Sequence, residues 1–258
     1  MKIHRFIGNF DLSKKELEIK DKEIVNQIKN VLRLKVGEAI ELCDGKSIST
    51  IVDIVEIKKD KVLVKITSLL HKDYEGQHST KKVHLFCAVL KKENFELVVQ
   101  KTTECGVSKI VPIISERTIK TGLNIERLRK IAKEASEQSG RINIPEILEP
   151  ISYKESLELS EKNNTNILFD GSGELFYKMP WEARRSRTEK IPSKEFSCIL
   201  EDNSPRTYNI FIGPEGGWTE REIAEAKNLN FKIASLGPLT LRGETAAIIA
   251  TYLISNLK

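Results

Sequence analysis

The sequence predicts an α/β protein in two parts: a small β-rich N-terminal domain, then a larger domain built on a parallel sheet. Three observations carry this. Short apolar runs between residues 39 and 66 alternate with polar residues and are broken by turn residues; 83–90 is an almost unbroken apolar run; and strand-like and helix-like segments alternate from there to residue 257. Alternation suits a sheet with one wet face, and an unbroken run suits a strand buried on both faces. Strands alternating with helices are the sequence pattern of α/β domains.

Taking the elements in order, Ile24, Val25, Ile28, Val31 and Leu32 recur at helical spacing within 21–35, and Val36-Gly37 ends the pattern. A β-meander follows: 39–43, a turn at Asp44-Gly45, 48–57, a charged turn at Lys58-Lys59-Asp60, and 62–66. Residues 1–72 therefore read as the β-rich domain, and 71–82, with Gly76, Ser79 and Thr80, has the composition of a linker. Residues 73–258 form the second domain. Its first strand, 83–90, leads to a helix with Phe95, Val98, Val99 and Thr102 on one face, then Gly106 as a stop and a strand at 109–114. A helix over 125–138 and strands at 166–169 and 208–212 extend the alternation. Between those strands, 171–205 is rich in Arg, Lys, Ser and Pro and reads as an insertion or mobile loop; its Arg184, Arg185 and Arg187 suit a solvated loop better than an RNA contact. Residues 219–222 then open a helix, with Thr219 and Glu222 as a capping box, before a strand at 231–236 and a strongly apolar helix over 246–257.

Composition limits the function classes. The 258 residues suffice for one large or two modest domains at roughly 150 residues each. An apolar share of 40% and a charged share of 31% are those of a folding globular chain. The net charge of +5 permits a polyanionic partner without requiring one. Cys43, Cys87, Cys105 and Cys198 are widely spaced, so neither a Cys-x-x-Cys zinc site nor a disulfide scaffold is expected, and His4, His71, His78 and His84 show no ligand spacing. No metal is expected. With no apolar leader at the N-terminus and no apolar run of the ~18 residues a span requires, a cytoplasmic protein without membrane association is expected.

The chemistry concentrates late in the chain. Gly213-Pro214-Glu215-Gly216-Gly217 follows a strand and precedes a helix, where glycines let backbone N–H groups approach a ligand. By itself this is equally plain turn chemistry, and it is neither a Gly-x-Gly-x-x-Gly dinucleotide fingerprint nor a P-loop. A second loop, 237–245, places Arg242 and Glu244 beside an apolar helix; an ordinary ion pair and compensation of the helix dipole is the alternative reading there.

Those two loops, Phe211-Ile212-Gly213-Pro214-Glu215-Gly216-Gly217 and Leu236-Gly237 with Leu241-Arg242-Gly243-Glu244-Thr245-Ala246, resemble the ribosomal RNA small subunit methyltransferase E family of the SPOUT superfamily. Val31-Leu32-Arg33 with Gly37-Glu38, Gln100-Lys101 through Glu104-Cys105-Gly106-Val107, Pro112 with Ser115-Glu116-Arg117, and Glu137-Gln138-Ser139-Gly140-Arg141 are also similar to that family, in family order across nearly the whole chain. The resemblance implies a PUA-like N-terminal β-domain, a SPOUT domain with a trefoil knot, a homodimer, S-adenosylmethionine as methyl donor, and methylation of uridine N3 in the decoding region of 16S rRNA in the small ribosomal subunit. Gly243 stands where the family usually has Thr, and Asn26, Gln27 and Asn30 stand where it often has His.

By analogy with knotted methyltransferases, the expected cofactor residues are Phe169, Ile212, Gly213, Glu215, Gly217, Leu236, Gly237, Leu241, Arg242, Thr245 and Ala246. For catalysis, Arg242 suits stabilisation of a uridine anion or a phosphate, and Glu215 and Glu244 are candidate bases. Candidate RNA contacts are Arg5, Arg33, Lys91, Lys101, Arg117, Arg129 and Arg141, each alternatively a solvated surface charge. A non-catalytic RNA-binding or ribosome-assembly protein and an unrelated nucleotide-binding enzyme are the competing readings.

Overall fold

A computed structural model describes residues 3–46, 48–67, 71–72, 81–119, 122–160, 164–176 and 207–256. The chain divides into two units, the first comprising Met1–His78 and Ala132–Ile144 and the second Ser79–Ile131 and Pro145–Lys258.

The first unit is a sheet ordered β1 (His4–Ile7), β3 (Ala39–Cys43), β4 (Ile48–Ile57), β5 (Val62–Ile66) and β2 (Glu16–Ile19), with β6 (His71–Lys72) also paired to β4. The meander strands are where alternation places them, and Ile40, Leu42, Val52, Val62 and Val64 are fully buried. β2 was not expected: four residues with only Leu17 and Ile19 turned inward are too short a pattern to stand out. The first helix is shorter than its periodicity suggests. α1 (Lys22–Asn26), capped by Asp21 accepting from the N–H groups of Glu23 and Ile24, passes into a π-helical turn at Gln27–Val31. The wider turn still buries Ile28 with Ile24, so the apolar spacing survives after the α-helix has ended.

Residues 132–144 join this unit through long-range contacts. The N–H of Ile7 donates to Glu137 Oε1 at 2.8 Å, and Ile142 packs with Ile7 and Cys43. Burial pushes the Glu137 carboxyl above its ordinary range, by more than the Ile7 N–H lowers it. A carboxyl that binds its proton more readily when folded makes stability fall as pH rises from the ordinary carboxylate range through the raised value. Glu137→Gln keeps an oxygen for Ile7 and removes the buried charge. It is expected to stabilise the protein against urea at pH 7 and to lose that advantage below about pH 4; a variant less stable at pH 7 would show that the charge itself is required.

The second unit is a parallel sheet ordered β10 (Ile151–Ser152), β8 (Lys109–Ile114), β7 (Lys82–Ala88), β12 (Thr207–Ile212), β11 (Thr165–Leu175) and β13 (Lys232–Ser235), with β9 (Glu146–Ile147) paired to β8. Phe211 on β12 lies opposite Phe86 on one side and Leu168 on the other, and the Phe86 and Phe211 rings stack with centroids 4.5 Å apart. The helices are α2 (Lys92–Glu104), α3 (Ile125–Ser139), of which the part from Ala132 onward belongs to the first unit, α4 (Tyr153–Leu159), α5 (Glu220–Asn228) and α6 (Gly243–Asn256). Phe95, Val98, Val99 and Thr102 form the buried face of α2, against which α6 packs as it crosses β7 and β12. α4 was not expected, although its capping box of Ser152 and Glu155 was legible in the sequence.

The expected loop at 171–205 is corrected at its start, because β11 continues through Leu175. Phe169 and Glu174 both face Ala234, so residues 170–173 bulge out between two registers on the same neighbour. A bulge hides the second stretch from any alternation pattern. A Cβ at Gly173 would lie 2.6 Å from backbone atoms of Ala234. Gly173→Ala must therefore separate β11 from β13 and is expected to destabilise by about 1–3 kcal/mol, read as a lower urea midpoint; an unchanged midpoint would mean the two strands can part freely. The basic segment with Arg184, Arg185 and Arg187, and 73–80 of the expected linker, lie outside the described residues. Among the described residues no helix is long and apolar enough to cross a membrane.

Candidate active site

Parallel strands deliver their carboxyl ends to one edge, so residues 169–171, where the β11 bulge begins, and the segments after β12 and β13 converge. Together with the start of α6 they bound a cleft of about 720 Å³. Its wall at 213–218 is held rigidly. The N–H of Gly217 donates to Pro214 O at 2.8 Å, and Trp218 Nε1 donates to Phe169 O at 3.2 Å. Arg117 braces the loop from β8's end, donating to Gly216 O at 2.8 Å and Trp218 O at 3.2 Å. Behind it the Thr219–Glu222 capping box forms as the sequence indicates, and the buried Glu222 carboxylate also accepts from the N–H of Glu116.

The opposite wall, 236–242, ends where α6 begins. That helix starts at Gly243, three residues before the expected start. A Cβ on Gly243 would sit 2.9 Å from Leu90 and 3.3 Å from Gly213 O, so glycine lets the helix approach the first wall closely. Gly217 (φ 68°) and Gly237 (φ 146°) adopt conformations that favour glycine, and a Cβ on either would meet only open space.

Of the expected cofactor residues, Phe169, Ile212, Gly213, Glu215, Gly217, Leu236, Gly237, Leu241, Arg242 and Ala246 all line this cleft, whereas Thr245 does not. Of the candidate catalytic groups, Arg242 is exposed on the lining and has no ion-pair partner among the described residues. Glu244 is only 7% exposed, and its Oε2 is buried without a hydrogen-bond partner. Glu215 instead accepts from the N–H of Lys91 at 3.3 Å. Burial pushes the Cys87 thiol far up, and Glu215 and Glu244 push it further, so this cysteine stays protonated and is no nucleophile. Asp170 and Trp218 also line the cleft and were not anticipated; each directly follows a motif residue, the only signal available.

The candidate RNA contacts are dispersed. Lys91 lines the cleft, and Arg33 is exposed with a φ of 55°. Lys101 pairs with Glu104 at 2.9 Å, and Arg129 donates to Ile147 O at 3.3 Å. Arg117 is the loop brace described above. Arg5 is held by Glu41 at 2.8 Å, and Arg141 is buried and donates to Asn143 at 3.1 Å, so neither presents a free cation.

A parallel α/β unit with a glycine-walled cleft at its carboxyl edge, following a small β unit, is the architecture of a chain that the family models place among the RNA methyltransferases with a PUA domain. The family model for the RNA methyltransferase domain matches residues 77–255, and that for the RNA methyltransferase PUA domain matches 19–67. The chain is 32% identical over 255 residues to the ribosomal RNA small subunit methyltransferase E of Rickettsia conorii, covering 97% of this chain and 94% of that one. To the Bacillus subtilis protein of the same name it is 27% identical, with 90% and 87% covered. The chain belongs to the ribosomal RNA small subunit methyltransferase E family. Its fold superposes on the crystal structure of that enzyme from Neisseria gonorrhoeae bound to S-adenosyl methionine, with a TM-score of 0.79, 28% identity and 97% and 95% of the two chains covered. A Legionella pneumophila methyltransferase in complex with the bound cofactor SAM gives a TM-score of 0.78 at 28% identity, with 98% and 97% covered.

Proposed function

We propose that this protein, as a cytoplasmic homodimer, transfers a methyl group from S-adenosylmethionine to N3 of a uridine in 16S rRNA within the small ribosomal subunit. The observation that carries the reading is one cleft in which two glycine-rich walls, a free guanidinium and an unpartnered buried carboxylate converge, in a chain of this family. The cleft residues fit the cofactor. The open space beside Gly217 and Gly237, which a Cβ on either residue would begin to fill, leaves the backbone free to approach a ligand. Phe169, Ile212 and Leu236 offer apolar surface, and the half-buried backbone at Gly213, Gly217 and Gly237 lies on the lining beside it.

When bound, S-adenosylmethionine supplies a methyl carbon on a sulfonium, open to in-line displacement. The S–CH₃ bond breaks as N3–CH₃ forms, and the N3 proton must leave to a base. Arg242 would favour the uridine anion through O2 or O4. Of the two candidate bases, Glu244 has the uncommitted buried oxygen, whereas Glu215 already holds the Lys91 N–H, so the proton is assigned to Glu244. Arg33 and Lys91 are the exposed cations assigned to RNA phosphates. The trefoil knot belongs to the same reading; the return of α6 from edge strand β13 across the central strands β7 and β12 supports it.

The test is transfer of label from S-adenosylmethionine to small subunits lacking the modification, followed by digestion to nucleosides and mass spectrometry. Label in 3-methyluridine is expected. Label in another nucleoside would overturn the acceptor, and cofactor binding without label would favour a non-catalytic role in ribosome assembly.

A further inference from the structure

The first unit contains a second concavity, of about 650 Å³, between α1 with its π-helical turn and the turn joining β4 to β5. Six lysines line it (Lys20, Lys22, Lys29, Lys58, Lys59 and Lys61), against Asp60 as the one carboxylate of the lining, with the side-chain amides of Asn26 and Asn30. Lys22, Asn26, Lys29 and Asn30 share a face of the helical segment because they recur every three or four residues. Lys29 Nζ donates to the carbonyl oxygens of Lys58 and Lys59 at 2.9 and 3.0 Å, tying the two walls together. Lys20 and Lys61 pair with Glu18, and Lys58 pairs with Glu56. These bridges are largely solvent-exposed, and bridges of that kind contribute only about 0–1 kcal/mol, so the ammonium groups exchange partners readily. Lys22 and Lys59 are exposed and have no ion-pair partner among the described residues. A π-helical turn is uncommon and occurs disproportionately at functional sites.

We propose that this groove is a binding site for the phosphate backbone of the substrate RNA, with phosphates held by Lys22 and Lys59; Asn30 Nδ2 donates to Asn26 Oδ1 at 2.6 Å, which leaves Asn26 Nδ2 and Asn30 Oδ1 to meet sugar or base edges. The proposal rests on the RNA reading above and assigns residues distinct from those given RNA roles there. An acidic protein partner fits less well. Protein interfaces are anchored by aromatic, arginine and large apolar side chains, and the only apolar residue of this lining is Val25.

The test is fluorescence anisotropy of the full chain with a labelled RNA fragment from the 16S decoding region across a potassium chloride series. Lys22→Ala/Lys59→Ala is expected to raise the Kd about 5- to 10-fold at ~0.1 M salt and to flatten the log Kd against log salt slope by about 2. Asp60→Lys is expected to tighten binding, and both variants should keep wild-type affinity for S-adenosylmethionine. Unchanged Kd and slope in both variants would overturn the proposal and direct the groove to a protein surface. Wild-type protein that binds the RNA with the expected slope yet transfers no methyl would overturn the methyltransferase reading alone, since the variant slopes still report on the groove.

Discussion

Gly217→Val is expected to abolish S-adenosylmethionine binding, raising the Kd at least ~100-fold, which is about 2.7 kcal/mol, while the protein stays folded. Two effects add. A Cβ on Gly217 projects into open space of the cleft, the space assigned to the cofactor, so two further methyl groups would occupy the ligand's volume. The φ of 68° also strains a β-branched residue. Gly217→Ala separates them, since it carries most of the backbone strain and a smaller volume. Titration calorimetry with S-adenosylmethionine should show graded losses, glycine to alanine to valine, with thermal midpoints falling only slightly. Full binding by Gly217→Val would remove this wall from the cofactor site. A large fall in midpoint for both variants would instead make Gly217 a structural turn residue, a role its N–H bond to Pro214 would then explain.

Arg242→Ala is expected to lower turnover by about 10²–10³-fold, the loss typical of removing one group that stabilises developing negative charge, with cofactor affinity unchanged within about twofold. Arg242 is exposed on the cleft with no ion-pair partner among the described residues, so its charge is available to the acceptor. Its carbonyl accepts the N–H of Ala246 at 2.9 Å, a contact alanine keeps, so the start of α6 should persist. Arg242→Lys retains charge but loses the planar two-point donor and should recover only part of the rate. A rate loss seen entirely in KM for the small subunit would make Arg242 a phosphate contact; unchanged turnover would end its catalytic assignment.

Much of this architecture was legible because periodicity reports burial. The almost unbroken apolar run of β7 proves to be a central strand, and the meander strands alternate and prove to lie in the other sheet. The signals failed where local pattern and hydrogen bonding part company. The apolar spacing of α1 continues into a π-helical turn, β2 offers only two inward residues, and the bulge in β11 breaks the strand into two registers on the same neighbour. Thr245 was grouped with the cofactor residues because it adjoins Glu244 and Ala246, but a helical turn rotates neighbours by about 100°, and only its flanking residues line the cleft.

The amino-acid sequence alone determined the order of the longer elements, the two glycine loops and the family resemblance, because propensity, apolar period and motif spacing are properties of neighbours along the chain. Tertiary structure decided the rest. It assigned residues 132–144 to the first unit, turned Arg117 from a possible RNA contact into the brace of the glycine loop, and buried Arg141. It also buried a Glu244 oxygen without a partner, set Glu215 Oε1 against the Lys91 N–H, and gathered lysines from three separate segments into one groove. Each of these depends on which distant groups meet, and a charged side chain's role is set by the partner that reaches it, which local sequence does not encode.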